Sequence, residues 1–122
     1  MQIQAYIHGH LTYLQLRIHE LSVGLRVGGG NPELTNVKIH DNKVNGIVAS
    51  TNGGVLKCIN CSIYKNGLAY EGTEENNGGG IVIASAGKVI LYGGSVSENS
   101  ATKGGGIFNA GTLTLDGSTE AG

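Results

Sequence analysis

The sequence predicts an all-β fold: a single-stranded right-handed parallel β-helix with about four to five stacked coils. The first observation is a repeat, because three glycines and an isoleucine stand at residues 78–81 and again at residues 104–107. Each copy leads into an alternating apolar segment, and weaker copies begin at Gly24 and Gly46. Self-similarity at a period of about 20–50 residues is typical of solenoids.

Composition is the second observation, because it favours strands over helices. The 122 residues include 22 glycines, one phenylalanine and no tryptophan, and the apolar content is carried by Val, Ile and Leu. Such β-branched and aliphatic side chains suit strands. No helical periodicity persists across a repeat, and the dense frame of leucine-rich repeats is absent. Parallel coils remain, and crossovers between parallel strands are right-handed as a rule.

The third observation is that the copies align into apolar columns when they are stacked. One column contains Ile39, Ile63 and Val96. A second column contains Leu34, Cys58, Leu91 and Leu115. Alternate side chains of a strand point to the same face, so both columns can enter one continuous core.

Two polar columns mark the expected corners between strands. The first holds residues that tolerate a left-handed backbone, namely Asn36, Asn60, Gly93 and Gly117. The second holds only asparagines, namely Asn42, Asn66 and Asn99. Because stacked asparagines hydrogen-bond to one another in β structures, we expect a ladder at this second corner.

The chain is predicted to form one domain, residues 1–122, with coils at residues 24–44, 45–77, 78–103 and 104–122. Residues 1–21 are expected to form an irregular first coil or a cap, with a half-buried strand in which Leu14, Leu16 and Ile18 alternate. Both ends interrupt the repeat, so we expect a fragment of a longer array; a complete protein of four or five coils is the alternative. The spacing from Asn66 to Asn99 exceeds that from Asn42 to Asn66, which places an insertion loop at residues 67–77.

The insertion loop is polar and acidic, and it carries one aromatic side chain. Insertions in solenoids lie on one face, which is often the binding face, so the candidate partner-contact residues are Tyr70, Glu71, Glu74 and Glu75. The glutamates could also bind Ca²⁺, which prefers several oxygen ligands. The Gly-Gly-x-Gly-x-Asp repeat of calcium-binding β-rolls is missing. A solvated loop is therefore the preferred interpretation, and we expect no metal or cofactor.

Two cysteines and two histidines invite comparison with metal sites. Cys58 and Cys61 form a single Cys-x-x-Cys pair, whereas a structural zinc site needs four ligands. Their columns place both in the core, so buried free thiols are preferred and a local disulfide is the alternative. His8 and His10 would share one face of a strand over residues 6–11, and we interpret them as a solvated pair.

The tripeptide His40-Asp41-Asn42 has the residue types of a catalytic cluster, yet it falls where a corner is expected. Asp and Asn form turns by themselves, so a turn is the preferred interpretation. The outward columns show no repeated Asp, Arg or Lys, and no pair of carboxylates recurs. The sequence therefore predicts no catalytic residue and no enzymatic activity.

Charge and hydropathy exclude several classes of partner. The net charge is −1 and Lys and Arg together number eight, so no basic stripe can neutralise phosphates and nucleic acid is excluded. No apolar run reaches the roughly 18 residues of a transmembrane helix. The first residues lack the basic and apolar regions of a signal peptide.

Residues 104–115, Gly-Gly-Gly-Ile-Phe-Asn-Ala-Gly-Thr-Leu-Thr-Leu, resemble the repeat of bacterial right-handed β-helix surface proteins. These include the chlamydial polymorphic outer-membrane proteins and autotransporter-type adhesins. Residues 34–42 and 44–48 are similar to the generic repeat of pectate-lyase-like proteins. The paired Phe-x-x-Asn motif of the polymorphic proteins is not reproduced, since Asn109 directly follows Phe108.

This resemblance implies an exported, cell-surface array that is not catalytic and serves in adhesion or as a stalk. Its implied partner is a host surface protein or a glycan. The alternative is a fragment of a polysaccharide lyase, hydrolase or epimerase whose catalytic coils lie outside these residues. A third possibility is a truncated chain with no role of its own. Because a fold does not fix a function, these remain expectations.

Overall fold

The computed structural model describes residues 5–7, 12–14, 17–19, 22–51, 54–68, 70, 77–117 and 120–121. Within those ranges the chain contains fifteen strands and no helix, which confirms the all-β prediction. The strands fall into three sheets of five, and every strand pair is parallel.

Each sheet takes every third strand of the chain. The first sheet contains β1 (Ala5–Ile7), β4 (Val23–Val27), β7 (Asn45–Ala49), β10 (Ile81–Ile83) and β13 (Ile107–Asn109). The second contains β2 (Thr12–Leu14), β5 (Glu33–Thr35), β8 (Leu56–Ile59), β11 (Lys88–Tyr92) and β14 (Thr112–Asp116). The third contains β3 (Arg17–His19), β6 (Lys38–His40), β9 (Ser62–Tyr64), β12 (Ser95–Ser97) and β15 (Glu120–Ala121). We call three consecutive strands, one in each sheet, a unit; the described residues form five units.

The strand register confirms the apolar columns predicted from the sequence. In the third sheet Ile63 pairs with both Ile39 and Val96. In the second sheet Leu34, Cys58, Leu91 and Leu115 pair in succession. Adjacent units therefore place equivalent side chains one above another, at the spacing of about 4.8 Å that neighbouring strands adopt.

The core is a continuous aliphatic column between the three sheets. Its members alternate with outward residues, as in β4, where Leu25 and Val27 are buried and Arg26 is exposed. Ile39, Ile47 and Ile81 are all fully buried. Each such side chain contributes about 1.5–3 kcal/mol to the free energy of folding when it leaves water. Because each unit buries its aliphatic residues only against its neighbours, stacking is what stabilises the fold.

One expectation for the first 21 residues is wrong. The alternation of Leu14 and Ile18 predicted a single strand, but Leu14 ends β2 in the second sheet and Ile18 lies in β3 in the third; Leu16 lies outside the described residues. Because β2 and β3 lie in different sheets, an even spacing of apolar residues does not show that they belong to one strand.

The glycine that directly precedes Leu25, Ile47 or Ile81 has a packing role that the sequence alone did not disclose. A Cβ atom at Gly24 would lie 2.7 Å from Asn42 Nδ2, at Gly46 2.9 Å from Asn66 Nδ2, and at Gly80 2.8 Å from Asn99 Nδ2. The same Cβ would also meet the carbonyl oxygen of the next unit, at 2.6 Å from Gly80 O in the case of Gly46. This glycine therefore leaves room for both a ladder asparagine and the adjacent backbone.

Candidate functional site

The segment that leaves β9 and returns at β10 contains the predicted partner-contact loop. Of the four candidate residues, Tyr70 is described, whereas Glu71, Glu74 and Glu75 lie outside the described residues. Leu68 beside it is 61% exposed, and Tyr70 is half-buried. The Tyr70 N–H donates to Gly67 O at 3.3 Å, which closes a tight turn where the loop leaves the sheet.

Both ends of this loop are tied to the stack by hydrogen bonds. At its start the Gly67 N–H donates to Asn42 O at 2.9 Å. At its return the buried Asn45 side chain donates through Nδ2 to Asn77 O at 2.9 Å and to Gly78 O at 2.7 Å. The loop base is thus fixed from the unit that precedes it. The sequence analysis missed Asn45, and its place directly before the ladder-facing Gly46 is the only signal that could have found it.

A histidine–carboxylate pair lies close to the point where the loop departs. His40 Nδ1 is 2.6 Å from Asp41 Oδ2, and the His40 ring stacks on Tyr64 with centroids 4.9 Å apart and planes 5° apart. His40 is 9% exposed, while the Asp41 side chain is 53% exposed. Aromatic stacking and a charge-assisted hydrogen bond both restrain the imidazole. Asp41 is the member of the pair that solvent reaches.

Asp41 also forms the corner that the sequence predicted for it, with φ of 53°. The equivalent residues of the next two units, Lys65 and Glu98, adopt φ of 53° and 55°. A left-handed backbone is unfavourable by roughly 1–2 kcal/mol for residues with a Cβ atom. Sequence reasoning missed Lys65 and Glu98 because neither residue type favours that conformation. Their position directly before a ladder asparagine was the available signal.

The asparagine column forms a continuous ladder of hydrogen bonds. Asn42 Nδ2 donates to Asn66 Oδ1 at 2.9 Å, and Asn66 Nδ2 donates to Asn99 Oδ1 at 2.9 Å. Each acceptor oxygen also takes the backbone N–H of the asparagine below it, at 3.1 Å for Asn42 and 2.9 Å for Asn66. The second Nδ2 hydrogen of each residue bonds a carbonyl oxygen of the preceding unit, namely that of Ile18, Ile39 or Ile63.

The residues of the other predicted corner column each begin a connection between the second and third sheets. Its four residues all have positive φ: 55° at Asn36, 52° at Asn60, 67° at Gly93 and 64° at Gly117. The backbone N–H of Asn36 donates to Ile59 O and that of Asn60 to Tyr92 O, both at 2.9 Å. The backbone hydrogen bonds between units therefore continue through the corner, where the chain changes direction.

The two cysteines are buried free thiols within the aliphatic core. The Cys61 Sγ lies 3.5 Å from Leu34 O and 3.6 Å from Ile59 O, both as acceptors. A hydrogen bond between the two thiols lowers the pKa of Cys61, against the effect of burial, and the same bond together with burial raises the pKa of Cys58. The first proton to leave this pair is therefore that of Cys61.

The other metal-ligand candidates are not brought together. His8 and His10 lie outside the described residues. In the part of the chain that the structure describes, no three His, Cys, Asp or Glu side chains form a group able to hold a metal ion. The same part contains no helix long and apolar enough to cross a membrane.

Comparison with protein-family models, with curated proteins and with solved structures finds no match for this chain. The resemblance to bacterial β-helix surface proteins accordingly stays a prediction that rests on residues 34–48 and 104–115.

Proposed function

We propose that this chain is a right-handed parallel β-helix that acts as a non-catalytic structural and adhesive segment of an exported or cell-surface protein. The observation that supports it best is the vertical register of its columns: aliphatic side chains inside, and an asparagine ladder along one corner. Such stacking yields a stiff rod with long surfaces, which suits a stalk or a display platform.

The segment around Leu68 and Tyr70 is the proposed contact with a host surface protein or glycan. It departs from the regular stack, it carries an exposed leucine next to an aromatic residue, and its base is held by Asn45. A fixed base lowers the entropy that is lost on binding, because the ends of the loop are already ordered. Tyrosine is a preferred residue at protein and glycan contacts, since its ring is apolar and its hydroxyl is polar.

The experiment compares cell retention on surfaces coated with the chain or with albumin, using cultured epithelial cells as the probe. We expect the chain to retain cells well above albumin, and the double variant Leu68→Ala/Tyr70→Ala to lose most of that difference. Tyr92→Ala is the matched control, because Tyr92 is 47% exposed in the second sheet, away from the loop. Retention at the albumin level, or an equal loss in the control, would contradict the proposal.

The alternative predicted from the sequence is a fragment of a polysaccharide-acting enzyme whose catalytic coils lie outside these residues. The His40–Asp41 pair favours a variant of it, in which a catalytic group lies within the chain. A carboxylate that orients an imidazole is a common arrangement for proton transfer. Incubation with polygalacturonate tests it: release of unsaturated oligosaccharides by the chain, and its loss in His40→Gln, would favour the enzyme over the adhesive rod.

A further inference from the structure

The dipeptide Asn-Gly occurs in the chain at residues 45–46, 52–53, 66–67 and 77–78. Asparagine is one of the thermally labile residues, since its side-chain carbonyl carbon can be attacked by the backbone nitrogen of the next residue. Glycine favours this attack, because it lacks a Cβ atom and its backbone adopts conformations that other residues avoid. The pair at residues 66–67 includes the middle asparagine of the ladder, so its chemical stability affects the whole stack.

The fold requires both residues of the pair Asn66–Gly67. Asn66 Nδ2 donates to Asn99 Oδ1 at 2.9 Å and to Ile39 O at 3.1 Å. Gly67 has φ of 83°, and a Cβ atom at that position would lie 1.9 Å from Ser100 O. Another residue at either position would lose the ladder bonds or collide with the backbone. The structure therefore imposes the most labile asparagine dipeptide at this corner.

The same structure prevents the attack within this pair while the chain is folded. The Gly67 N–H donates to Asn42 O at 2.9 Å, so the attacking nitrogen is held in a hydrogen bond between units. Asn66 is fully buried, and hydrogen bonds to both neighbouring units hold its carboxamide. Its side-chain carbon cannot turn toward the Gly67 nitrogen unless these bonds break. The reaction therefore needs the units around the corner to separate.

A second pair, Asn45–Gly46, is held in the same manner. Asn45 is buried, and its Nδ2 donates to Gly78 O at 2.7 Å. The Gly46 N–H donates to Gly79 O at 2.9 Å. Both the attacked side chain and the attacking nitrogen are again bonded to the adjacent unit. This pair is an independent test of the same protection.

We propose that Asn66 is a deamidation site that is protected in the folded stack and reactive whenever the units around it open. In the open chain the Gly67 nitrogen loses its proton to solvent and forms a bond with Asn66 Cγ. The bond from Cγ to the side-chain nitrogen breaks, and that nitrogen takes up a proton and leaves as ammonia. Water then opens the cyclic imide at either of its carbonyl carbons, which leaves aspartate or isoaspartate at this position. The reaction consumes only water.

A chain modified at Asn66 cannot rebuild the ladder. A carboxylate only accepts hydrogen bonds, so it cannot donate to Asn99 Oδ1 or to Ile39 O. Its charge would also be buried against those oxygen atoms, which is strongly unfavourable. Isoaspartate lengthens the backbone as well, and so disturbs the register of the corner. Opening of the stack thus becomes irreversible, and the lifetime of the fold is limited by how often it opens.

Peptide mapping by mass spectrometry tests the protection. The chain is kept at mildly alkaline pH either in buffer or in guanidinium chloride, and aspartate and isoaspartate are quantified at each asparagine. We expect Asn66 and Asn45 to convert at least about tenfold more slowly in the folded chain, because the units must open first. Asn109 is the internal control, since alanine follows it and its conversion should be slow in both states. A smaller difference at Asn66 would overturn the proposal.

Refolding tests the consequence. Chains kept in guanidinium chloride for increasing times are returned to buffer, and the folded fraction is isolated by size exclusion and mapped. We expect modified Asn66 to be depleted at least about fivefold in the folded fraction relative to the starting mixture. The variant Asn66→Asp should not recover the circular dichroism spectrum of the parent chain, whereas Asn109→Asp, at an exposed position, should recover it.

The proposal is overturned if the folded and unfolded fractions contain equal amounts of modified Asn66, or if Asn66→Asp refolds as the parent does. Neither measurement uses cells or a binding partner. The deamidation site can therefore be refuted while the adhesive function holds, and the adhesive function can be refuted while the deamidation site holds.

Discussion

At the scale of single residues, the fold depends most on Asn66, the middle member of the ladder. Its side chain accepts two hydrogen bonds from Asn42 and donates one each to Asn99 Oδ1 and Ile39 O. The residue is fully buried. Its removal leaves partners on both neighbouring units without their hydrogen bonds, and a buried polar group left unsatisfied costs about 1–3 kcal/mol.

We expect Asn66→Ala to lower the free energy of unfolding by about 3 kcal/mol or more, measured by urea denaturation. The matched control is Asn109→Ala. Asn109 is exposed, and its Oδ1 accepts a single local hydrogen bond from the Gly111 N–H at 2.9 Å. We expect the control to change stability by less than about 1 kcal/mol. Comparable losses in the two variants would show that the ladder is not a major contribution.

The cysteine pair gives a prediction on pH. Because the Cys58 thiol donates a hydrogen bond that lowers the pKa of Cys61, the variant Cys58→Ala should raise the pKa of Cys61 and shift its alkylation by iodoacetamide to higher pH. Cys58→Ser keeps a donor at that position and should shift the profile less. Rates are followed on the folded chain by mass spectrometry. Identical pH profiles for the two variants would contradict this assignment.

The ladder asparagines could be identified from the sequence, and so could the corner column of Asn36, Asn60, Gly93 and Gly117. In both cases the residue types themselves indicate the local geometry. Asn and Gly tolerate a left-handed backbone, and an asparagine that recurs in successive units can form side-chain hydrogen bonds with its equivalents. Lys65 and Glu98 could not be identified in this way. Their left-handed conformation is imposed by the hydrogen bonds of the ladder that follows them, which is a tertiary constraint absent from any single residue.

At the scale of elements, the glycine repeats and the asparagine ladder depend on each other, because they pack together. The chain at the start of each unit passes so close to the asparagine that follows the last strand of the same unit that its glycine has no room for a side chain. The sequence showed the repeat and its period but not this reason, because the glycine and its asparagine stand at opposite ends of the same unit in the sequence. Their juxtaposition depends on the register of the first sheet against the third.

We expect Gly46→Ala to destabilise the chain by about 1–3 kcal/mol, since the new Cβ would lie 2.6 Å from Gly80 O and 2.9 Å from Asn66 Nδ2. Gly105→Ala is the control, because its nearest atom, Asn99 O, is 3.2 Å away. Thermal unfolding of both variants measures the difference. If Gly105→Ala is the more harmful, close packing against the ladder does not explain the glycine repeat.

At the scale of the whole molecule, stability should follow position along the stack. Each unit contacts only its neighbours, so the inner units are held on both faces and the outer ones on one. The burial of the inward residues already reflects this, with Leu91 at 2% and Leu115 at 51% exposure. The repeats in the sequence predicted that the units stack. The gradient of stability along the stack could not be predicted from them, because it depends on which units have a neighbour on one side only.

Hydrogen exchange read by mass spectrometry checks this gradient at a concentration where the chain is monomeric. We expect the backbone amides of β8 and β9 to exchange slowest and those of β13 and β14 to exchange fastest, because end units open without disturbing the others. Uniform protection over all units would indicate a single cooperative transition and would contradict the expectation.

The direction of the ladder has an electrostatic consequence. Asn42 and Asn66 each donate to the asparagine side chain of the following unit, so the two side-chain hydrogen bonds of the ladder run in the same direction instead of opposing each other. Aligned dipoles polarise one another, and each bond is then stronger than it would be alone. The corner is therefore more negative at its Asn42 end and more positive at its Asn99 end.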